Sequence, residues 1–246
     1  MGSEMCIRDR TNLSGILEYK YEPQLKGVEK ADEKAYFKGY VRDDGSVGIR
    51  NEIWIVNTVG CVNKTSELLA REANKLFEGK TDGIFNFVHP FGCSQLGDDQ
   101  KTTQAILKGL VNHPNAAGVL VLGLGCENNN IPVFKGILGD YNPERIRFMS
   151  TQDYDNEVEE GLKLIGELVE YAQKFTRKKC DVSKLVVGLK CGGSDGFSGL
   201  TANPLVGQFS DLLISHGGST ILTEVPEMFG ACLLYTSPSP RDLSTS

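Results

Sequence analysis

The sequence lacks the features of several protein classes. No apolar run approaches the ~18 residues of a membrane span, and no run of Lys and Arg offsets the net charge of −6, so we expect neither membrane nor nucleic-acid binding. The seven cysteines form no CxxC pair, which argues against a zinc ribbon or a disulfide scaffold and suits a reducing compartment. What remains is a globular chain of 246 residues, long enough to bury a core.

The two ends share a feature that protein folding does not explain. One DNA sequence that can encode residues 5–10 has a complementary strand that, when translated, gives residues 232–236. We interpret 1–10 and 232–246 as disordered tails translated from a sequencing adapter and exclude them from fold prediction. Residues 11–38 are polar and of mixed charge, which predicts a linker arm. We expect residues 39–231 to form the central α/β domain of a protein that is cut at both ends.

Buried-strand and amphipathic-helix patterns alternate along this central segment. They predict strands at 53–59, 83–88, 118–122, 146–149, 185–189 and 219–223, and helices at 65–77, 98–111, 132–138, 156–175 and 204–215. This order predicts one mainly parallel, Rossmann-like sheet with helices on both faces. A tight hairpin is expected at Asp44-Gly45. Ligands of such sheets bind beyond the carboxyl ends of the strands.

Polar, glycine-rich segments follow all six predicted strands, and in one sheet they would meet at one edge. Four cysteines stand in these turns: Cys61, Cys93, Cys126 and Cys191. They suit a shared metal site, as ligands of an iron–sulfur cluster or of a single iron together with His89. The alternative is that each cysteine is a small buried hydrophobe that fits a tight turn.

Acid–base and carboxylate candidates lie in the same turns. His89 is held extended by Pro90, and a histidine there suits acid–base catalysis at neutral pH or metal ligation. Glu127, Asp195 and Glu224 are the candidate catalytic carboxylates. Helix capping is the alternative role for Glu127 and Asp195.

A glycine-rich segment at 190–199 provides backbone N–H groups that suit an anion such as a substrate carboxylate. It is not a Walker A loop, and the GLG at 123–125 lacks the third glycine of a dinucleotide fingerprint. Arg50 suits bidentate carboxylate binding, with a surface ion pair as the alternative. The substrate-binding candidates are Arg50, Asn51, Gln95, Gly192, Gly193, Ser194 and Asn203.

Five segments in order resemble the altronate/galactarate dehydratase family of sugar-acid hydro-lyases. They are GYVRDDGSVGIRN (39–51), HPFGCSQLGDD (89–99), GLGCENN (123–129), KCGGSDGFSGLTANP (190–204) and LTEVPEMFG (222–230). The resemblance implies a cytoplasmic enzyme of hexuronate catabolism that dehydrates D-altronate to 2-dehydro-3-deoxy-D-gluconate with Fe²⁺ or Mn²⁺. By motif position, the metal candidates are Cys93, Cys126, Cys191 and Glu227.

The resemblance also implies partners and leaves alternatives open. It implies an N-terminal β domain and a C-terminal region beyond this chain, without which we expect no activity. The substrate is a small sugar acid, and a homo-oligomer stays open. The alternatives are a galactarate dehydratase, the β subunit of a sulfolactate sulfo-lyase, and a non-catalytic α/β module that only binds small anions.

Overall fold

The computed structural model describes residues 28–190 and 196–223. The strands, in chain order, are β1 (Tyr36–Val41), β2 (Val47–Gly48), β3 (Glu52–Asn57), β4 (Ile84–Phe87), β5 (Ala116–Gly123), β6 (Ile146–Ser150), β7 (Lys178–Asp181), β8 (Val186–Leu189) and β9 (Ser219–Leu222). The helices are α1 (Asn63–Leu76), α2 (Gly97–Val111), α3 (Ile131–Leu138), α4 (Glu157–Ala172) and α5 (Ala202–Ser215). No helix in the described ranges is long and apolar enough to cross a membrane.

Several predictions concern residues outside these ranges. They are the two terminal tails and the first part of the expected linker, together with Cys191, Gly192, Gly193, Ser194, Asp195, Glu224 and Glu227.

The described chain divides into two compact units, and the larger one comprises Tyr36–Cys180. Its centre is a four-stranded parallel sheet in the order β4-β3-β5-β6. Because β3 and β5 are buried on both faces, their apolar runs are continuous rather than alternating. The first four predicted strands are therefore confirmed as strands of one parallel sheet.

Helices cover both faces of this sheet, as predicted. Alternate side chains of β3 and β5, such as Ile53 and Leu120, pack with α1 and α4 in one buried cluster. Their neighbours Trp54 and Val119 point to the other face and pack with α2 and α3 in a second cluster. The period of two along each strand thus divides one apolar run between two cores.

A small second sheet in the order β2-β1-β7 completes the larger unit. The antiparallel pair β1–β2 pairs Val41 with Val47 around Asp44-Gly45, which confirms the predicted hairpin. Strand β1 begins at Tyr36, inside the segment 11–38 that was expected to be a linker. The linker prediction is wrong there. The charged, alternating sequence has no strand pattern, yet β1 pairs with β2 on one side and with β7 on the other.

The prediction of one sheet with six strands is also wrong. Strands β8 and β9 pair only with each other in the described chain, as a two-stranded parallel sheet in the other unit, where α5 also lies. Periodicity identifies a strand, but long-range pairing decides which sheet it joins. Every residue of β5 is buried, whereas the residues of β8 and β9 are exposed or half-buried, as in a small sheet outside the main core. The turns that follow β8 and β9 therefore belong to a different sheet from the turns that follow β3, β4, β5 and β6.

Candidate functional site

The strand order of the four-stranded sheet points to one crevice. From β3 the chain crosses to β4 on one side, and the later strands β5 and β6 lie on the other side. The carboxyl ends of β3 and β5 therefore flank a topological switch point, where open parallel sheets bind ligands. A narrow cleft opens there, which we call the switch-point pocket. The described residues that line it are Thr58, Gly92, Cys93, Gln95, Gln100, Thr103, Glu127, Asn128 and Asn129.

Glu127 is the most strongly held side chain of the switch-point pocket. It is 3% exposed, and its Oε1 accepts hydrogen bonds from Thr58 Oγ1 at 2.6 Å and from the Leu124 N–H at 3.1 Å. Its Oε2 accepts from the Gly125 N–H at 2.6 Å. Burial alone would raise the pKa of Glu127, but these hydrogen bonds outweigh it and hold the pKa below its ordinary value. The carboxylate thus ties the loop after β5 to the end of β3.

Two glycines make room for this carboxylate. A Cβ on Gly123 would lie 2.7 Å from Glu127 Oε1 and 3.1 Å from Thr58 Oγ1, so a side chain here would occupy the carboxylate's place. Gly125 has a φ of +129°, a conformation that other residues rarely adopt. The GLG that begins like a dinucleotide fingerprint therefore serves a different purpose, which is to wrap the loop around Glu127.

His89 connects the loop after β4 to the end of β3. Its Nε2–H donates to the Asn57 carbonyl at 3.1 Å, and its Nδ1 accepts from the Phe91 N–H at 3.3 Å. These partners assign the neutral tautomer with the proton on Nε2. The His89 carbonyl accepts from Asn63 Nδ2 at 2.9 Å, and the Gly60 N–H donates to the Phe91 carbonyl at 2.7 Å. His89 is thus held in place by the backbone on both sides.

Polar residues that the sequence analysis missed complete the switch-point pocket. Thr103 and Gln104 are buried on α2, and Asn129 is 7% exposed on the loop after β5. Gln104 Nε2 donates to Asn129 Oδ1 at 3.0 Å, which links the helix to the loop. A signal for them exists in the sequence, because Thr103 precedes Leu107 and Val111 at helical spacing on the face that α2 buries. Buried faces of helices are ordinarily apolar, so polar residues on such a face indicate a functional site.

Three of the four cysteines that stand in the turns after predicted strands are exposed, free thiols: Cys61, Cys93 and Cys126. The alternative of small buried hydrophobes is therefore wrong for these three, and the fourth, Cys191, lies outside the described residues. Cys93 lines the switch-point pocket, and Cys126 Sγ lies 4.0 Å from Gln152 Nε2.

The described residues do not by themselves fit a metal ion. Among them, no three His, Cys, Asp or Glu side chains are grouped as ligands would be. Both ring nitrogens of His89 and both carboxylate oxygens of Glu127 already have protein partners. Of the four predicted ligands, Cys191 and Glu227 lie outside the described ranges.

Two predicted substrate-binding residues do not lie at the switch-point pocket. Arg50 and Asn51 precede β3, whose six residues separate them from the pocket by about 20 Å. Asn51 is buried, and its side chain accepts from Arg42 Nη1 and donates to the Ala172 carbonyl. Asn203 is exposed on α5, in the other unit. Of that predicted set, Gln95 is the described residue that lines the pocket.

A second pocket lies at the amino ends of β5 and β6 and contains two arginines, Arg42 and Arg145. Burial lowers the pKa of Arg42 to about 10 and also lowers the pKa of Arg145. Three carboxylates line the same pocket, and one of them, Asp43, accepts a 2.6 Å hydrogen bond from the Tyr171 hydroxyl. Because three carboxylates line the pocket beside two guanidinium groups, it has no excess of positive charge that would attract an anion.

Comparison with known proteins covers most of the chain. The model of the second domain of D-galactarate dehydratase/altronate hydrolase matches residues 39–173, and that of the D-galactarate/altronate dehydratase C-terminal domain matches 182–239. An altronate dehydratase of Bacillus subtilis (strain 168) is 50% identical over 226 residues, which cover 90% of this chain and 45% of the relative.

Two further relatives extend the comparison. An altronate dehydratase of Escherichia coli (strain K12) is 48% identical, also over 90% of this chain and 45% of its own length. The (2R)-sulfolactate sulfo-lyase subunit beta of Chromohalobacter salexigens is 33% identical, over 84% of this chain and 51% of its own. The chain thus spans about half the length of the curated relatives it matches.

Proposed function

This chain belongs to the D-galactarate dehydratase/altronate hydrolase family, and we propose that it is the central part of a hydro-lyase that dehydrates D-altronate to 2-dehydro-3-deoxy-D-gluconate. The observation that carries the choice of substrate is the identity of about half of all aligned residues to two altronate dehydratases. Identity to the sulfolactate sulfo-lyase subunit is 33%, which favours that alternative much less.

The reaction makes four demands on the protein. A base takes the proton from C2 of the sugar acid, an acid assists the departure of the C3 hydroxyl, the substrate is held in one orientation, and bulk water is excluded. The enol that results tautomerises to the 2-keto acid. The switch-point pocket supports the proposal because it combines buried polar side chains with a position at the carboxyl edge of a parallel sheet.

His89 is our candidate acid–base group. Its Nε2–H is engaged with the Asn57 carbonyl, so Nδ1 is the atom at which it would receive or release a proton. Nδ1 accepts a long hydrogen bond of 3.3 Å from the Phe91 N–H, which a stronger partner would replace.

Glu127 suits a different task from the proton transfer first predicted for it. Its oxygens accept three hydrogen bonds and its pKa lies below the ordinary value, which makes it a weak base. We therefore assign it to positioning of the loop after β5. Asp195 and Glu224 stay predicted catalytic carboxylates, since both lie outside the described ranges.

The metal, the location and the additional domains are parts of the same proposal. Fe²⁺ or Mn²⁺ stays a prediction that depends on Cys191 and Glu227, and we derive no step through it. The relatives are about twice as long, which supports a requirement for a further N-terminal β domain and C-terminal region. A cytoplasmic place in hexuronate catabolism follows from the family resemblance.

The proposal is tested on the full-length gene product with three substrates. D-altronate, galactarate and (2R)-sulfolactate are supplied separately, and 2-keto acid and sulfite are measured. We expect keto acid from D-altronate at the highest kcat/KM. Turnover of galactarate or release of sulfite without turnover of D-altronate would overturn the choice of substrate. Binding of D-altronate without any turnover, with Fe²⁺ or Mn²⁺ supplied, would favour the non-catalytic module.

A further inference from the structure

The side chain of Asn129 is held at one end and unpaired at the other. Its Oδ1 accepts the 3.0 Å hydrogen bond from Gln104 Nε2, which fixes the orientation of the carboxamide. Its Nδ2 is buried and has no hydrogen-bond partner among the described residues. A buried donor without an acceptor is costly, and proteins rarely retain one without a reason. Asn129 therefore requires an acceptor that the described chain does not provide.

The surroundings of Asn129 indicate what that acceptor is. Asn129 and Glu127 both line the switch-point pocket, whose enclosed part has room for about one water-sized group. A carboxylate has about four lone-pair sites, and three donors already occupy sites on Glu127. One acceptor site on Glu127 and one donor on Asn129 thus remain for the same small group.

A neutral hydroxyl satisfies both residues at once. Its oxygen accepts from Asn129 Nδ2, and its proton is donated to the Glu127 carboxylate. A carboxylate of the ligand in the same place has no proton to donate, so it could accept from Asn129 Nδ2 but would donate nothing to the Glu127 carboxylate. The chemistry of the pocket therefore selects an alcohol group rather than the acid group of a sugar acid.

We propose that Asn129 and Glu127 together bind one hydroxyl group of the substrate, so that Asn129 is a specificity-determining residue and Gln104 is the residue that positions it. The identity of the ligand as a polyol acid rests on the proposed function. A hydroxyl outside the reacting C2–C3 pair can be removed from the substrate without removing the reaction itself, so the test is confined to the hydroxyls of C4, C5 and C6.

The test compares Asn129→Asp with the matched control Asn130→Asp in the full-length protein. Both changes are isosteric and add one negative charge, at adjacent positions. Asn130 caps α3, with its Oδ1 accepting from the Val133 N–H, and an aspartate retains that cap. The kcat/KM of each variant is measured on D-altronate and on its 4-, 5- and 6-deoxy analogues.

Wild type should lose about 10- to 100-fold in kcat/KM on one of the deoxy analogues, since one hydrogen bond to a charged group is removed. Asn129→Asp should show a similar loss on D-altronate and no further loss on that same analogue. Asn130→Asp should behave as wild type. Equal losses of Asn129→Asp on all analogues, or wild-type activity of this variant, would overturn the proposal and indicate that an ordered water fills the pocket.

Two further arms keep the result decisive. If Asn129→Asp does not fold, Asn129→Ser, whose side chain adds no charge and is too short to take the place of Nδ2, must show the same selective loss or the proposal fails. If wild type does not turn over D-altronate, the proposed function fails, and the hydroxyl site is tested by calorimetric binding of D-altronate and its deoxy analogues. If the wild-type protein binds D-altronate and its three deoxy analogues equally, or binds none of them, the hydroxyl site is overturned as well.

Discussion

Replacing Glu127 with glutamine separates the two roles considered for this residue. The carboxylate accepts from Thr58 Oγ1, the Leu124 N–H and the Gly125 N–H. A glutamine retains one acceptor oxygen, and its NH₂ group then faces an N–H or O–H donor. The change removes at least one charge-assisted hydrogen bond and weakens the others.

The size of the effect follows from these contacts. A hydrogen bond to a charged group contributes about 1.5–3 kcal/mol and a neutral one about 1 kcal/mol, while burial of a neutral amide costs less than burial of a carboxylate. We therefore expect Glu127→Gln to lower the free energy of unfolding by about 2–4 kcal/mol. For a chain of this size, that corresponds to a decrease in Tm of roughly 5–15 °C.

The pH dependence gives an independent check. Because the folded pKa of Glu127 lies below its ordinary value of 4.5, its contribution is fully present above that value. The contribution is lost as the pH falls through the folded pKa. The difference in stability between wild type and Glu127→Gln should therefore be largest at neutral pH and shrink below 4.5.

Thermal and urea melts of the purified chain measure both effects. Glu67→Gln is the control, because Glu67 pairs with Lys64 on the exposed face of α1 and such pairs contribute little. A Glu127→Gln chain as stable as wild type at neutral pH would refute the positioning role. Loss of activity of the full-length protein without loss of stability, and with unchanged binding of D-altronate, would restore Glu127 as a proton-transfer group.

Further predictions concern the packing of the same unit. Gly123→Ala should destabilise the chain by about 1–3 kcal/mol, because the new Cβ meets the Glu127 carboxylate, whereas Gly136→Ala in α3, where a Cβ has open space, should be neutral or slightly stabilising in the same melts. Alkylation of the native chain followed by mass spectrometry should label Cys93 and Cys126 at once and Cys180 only after unfolding. Protection of Cys93 in the native chain, or rapid labelling of Cys180, would contradict the described burial.

The main sheet could be predicted because its signals are local. The apolar run in β3 and the VLVL of β5 identify buried strands wherever they pair. Asp44-Gly45 likewise specifies its hairpin within a few residues. Parallel pairing alone places the turns that follow β3, β4, β5 and β6 at the same edge of the sheet.

The remaining features depend on contacts between distant residues. The sequence of β7, KKCD, has no apolar pattern, and its strand exists because it pairs with β1, about 140 residues earlier in the chain. Thr58 and Glu127 are 69 residues apart, so no spacing rule connects them. In α2, residue type alone does not identify the buried face, since Ile106 is 60% exposed while Thr103 is buried.

The central claim is that the switch-point pocket is where the sugar acid binds, and a crystal structure of the full-length protein with bound D-altronate tests it most directly. The account predicts ligand density between the carboxyl ends of β3 and β5, with one hydroxyl oxygen within hydrogen-bond distance of Asn129 Nδ2 and Glu127. Density at the opposite edge of the sheet beside Arg145, with the switch-point pocket filled by water alone, would contradict the account.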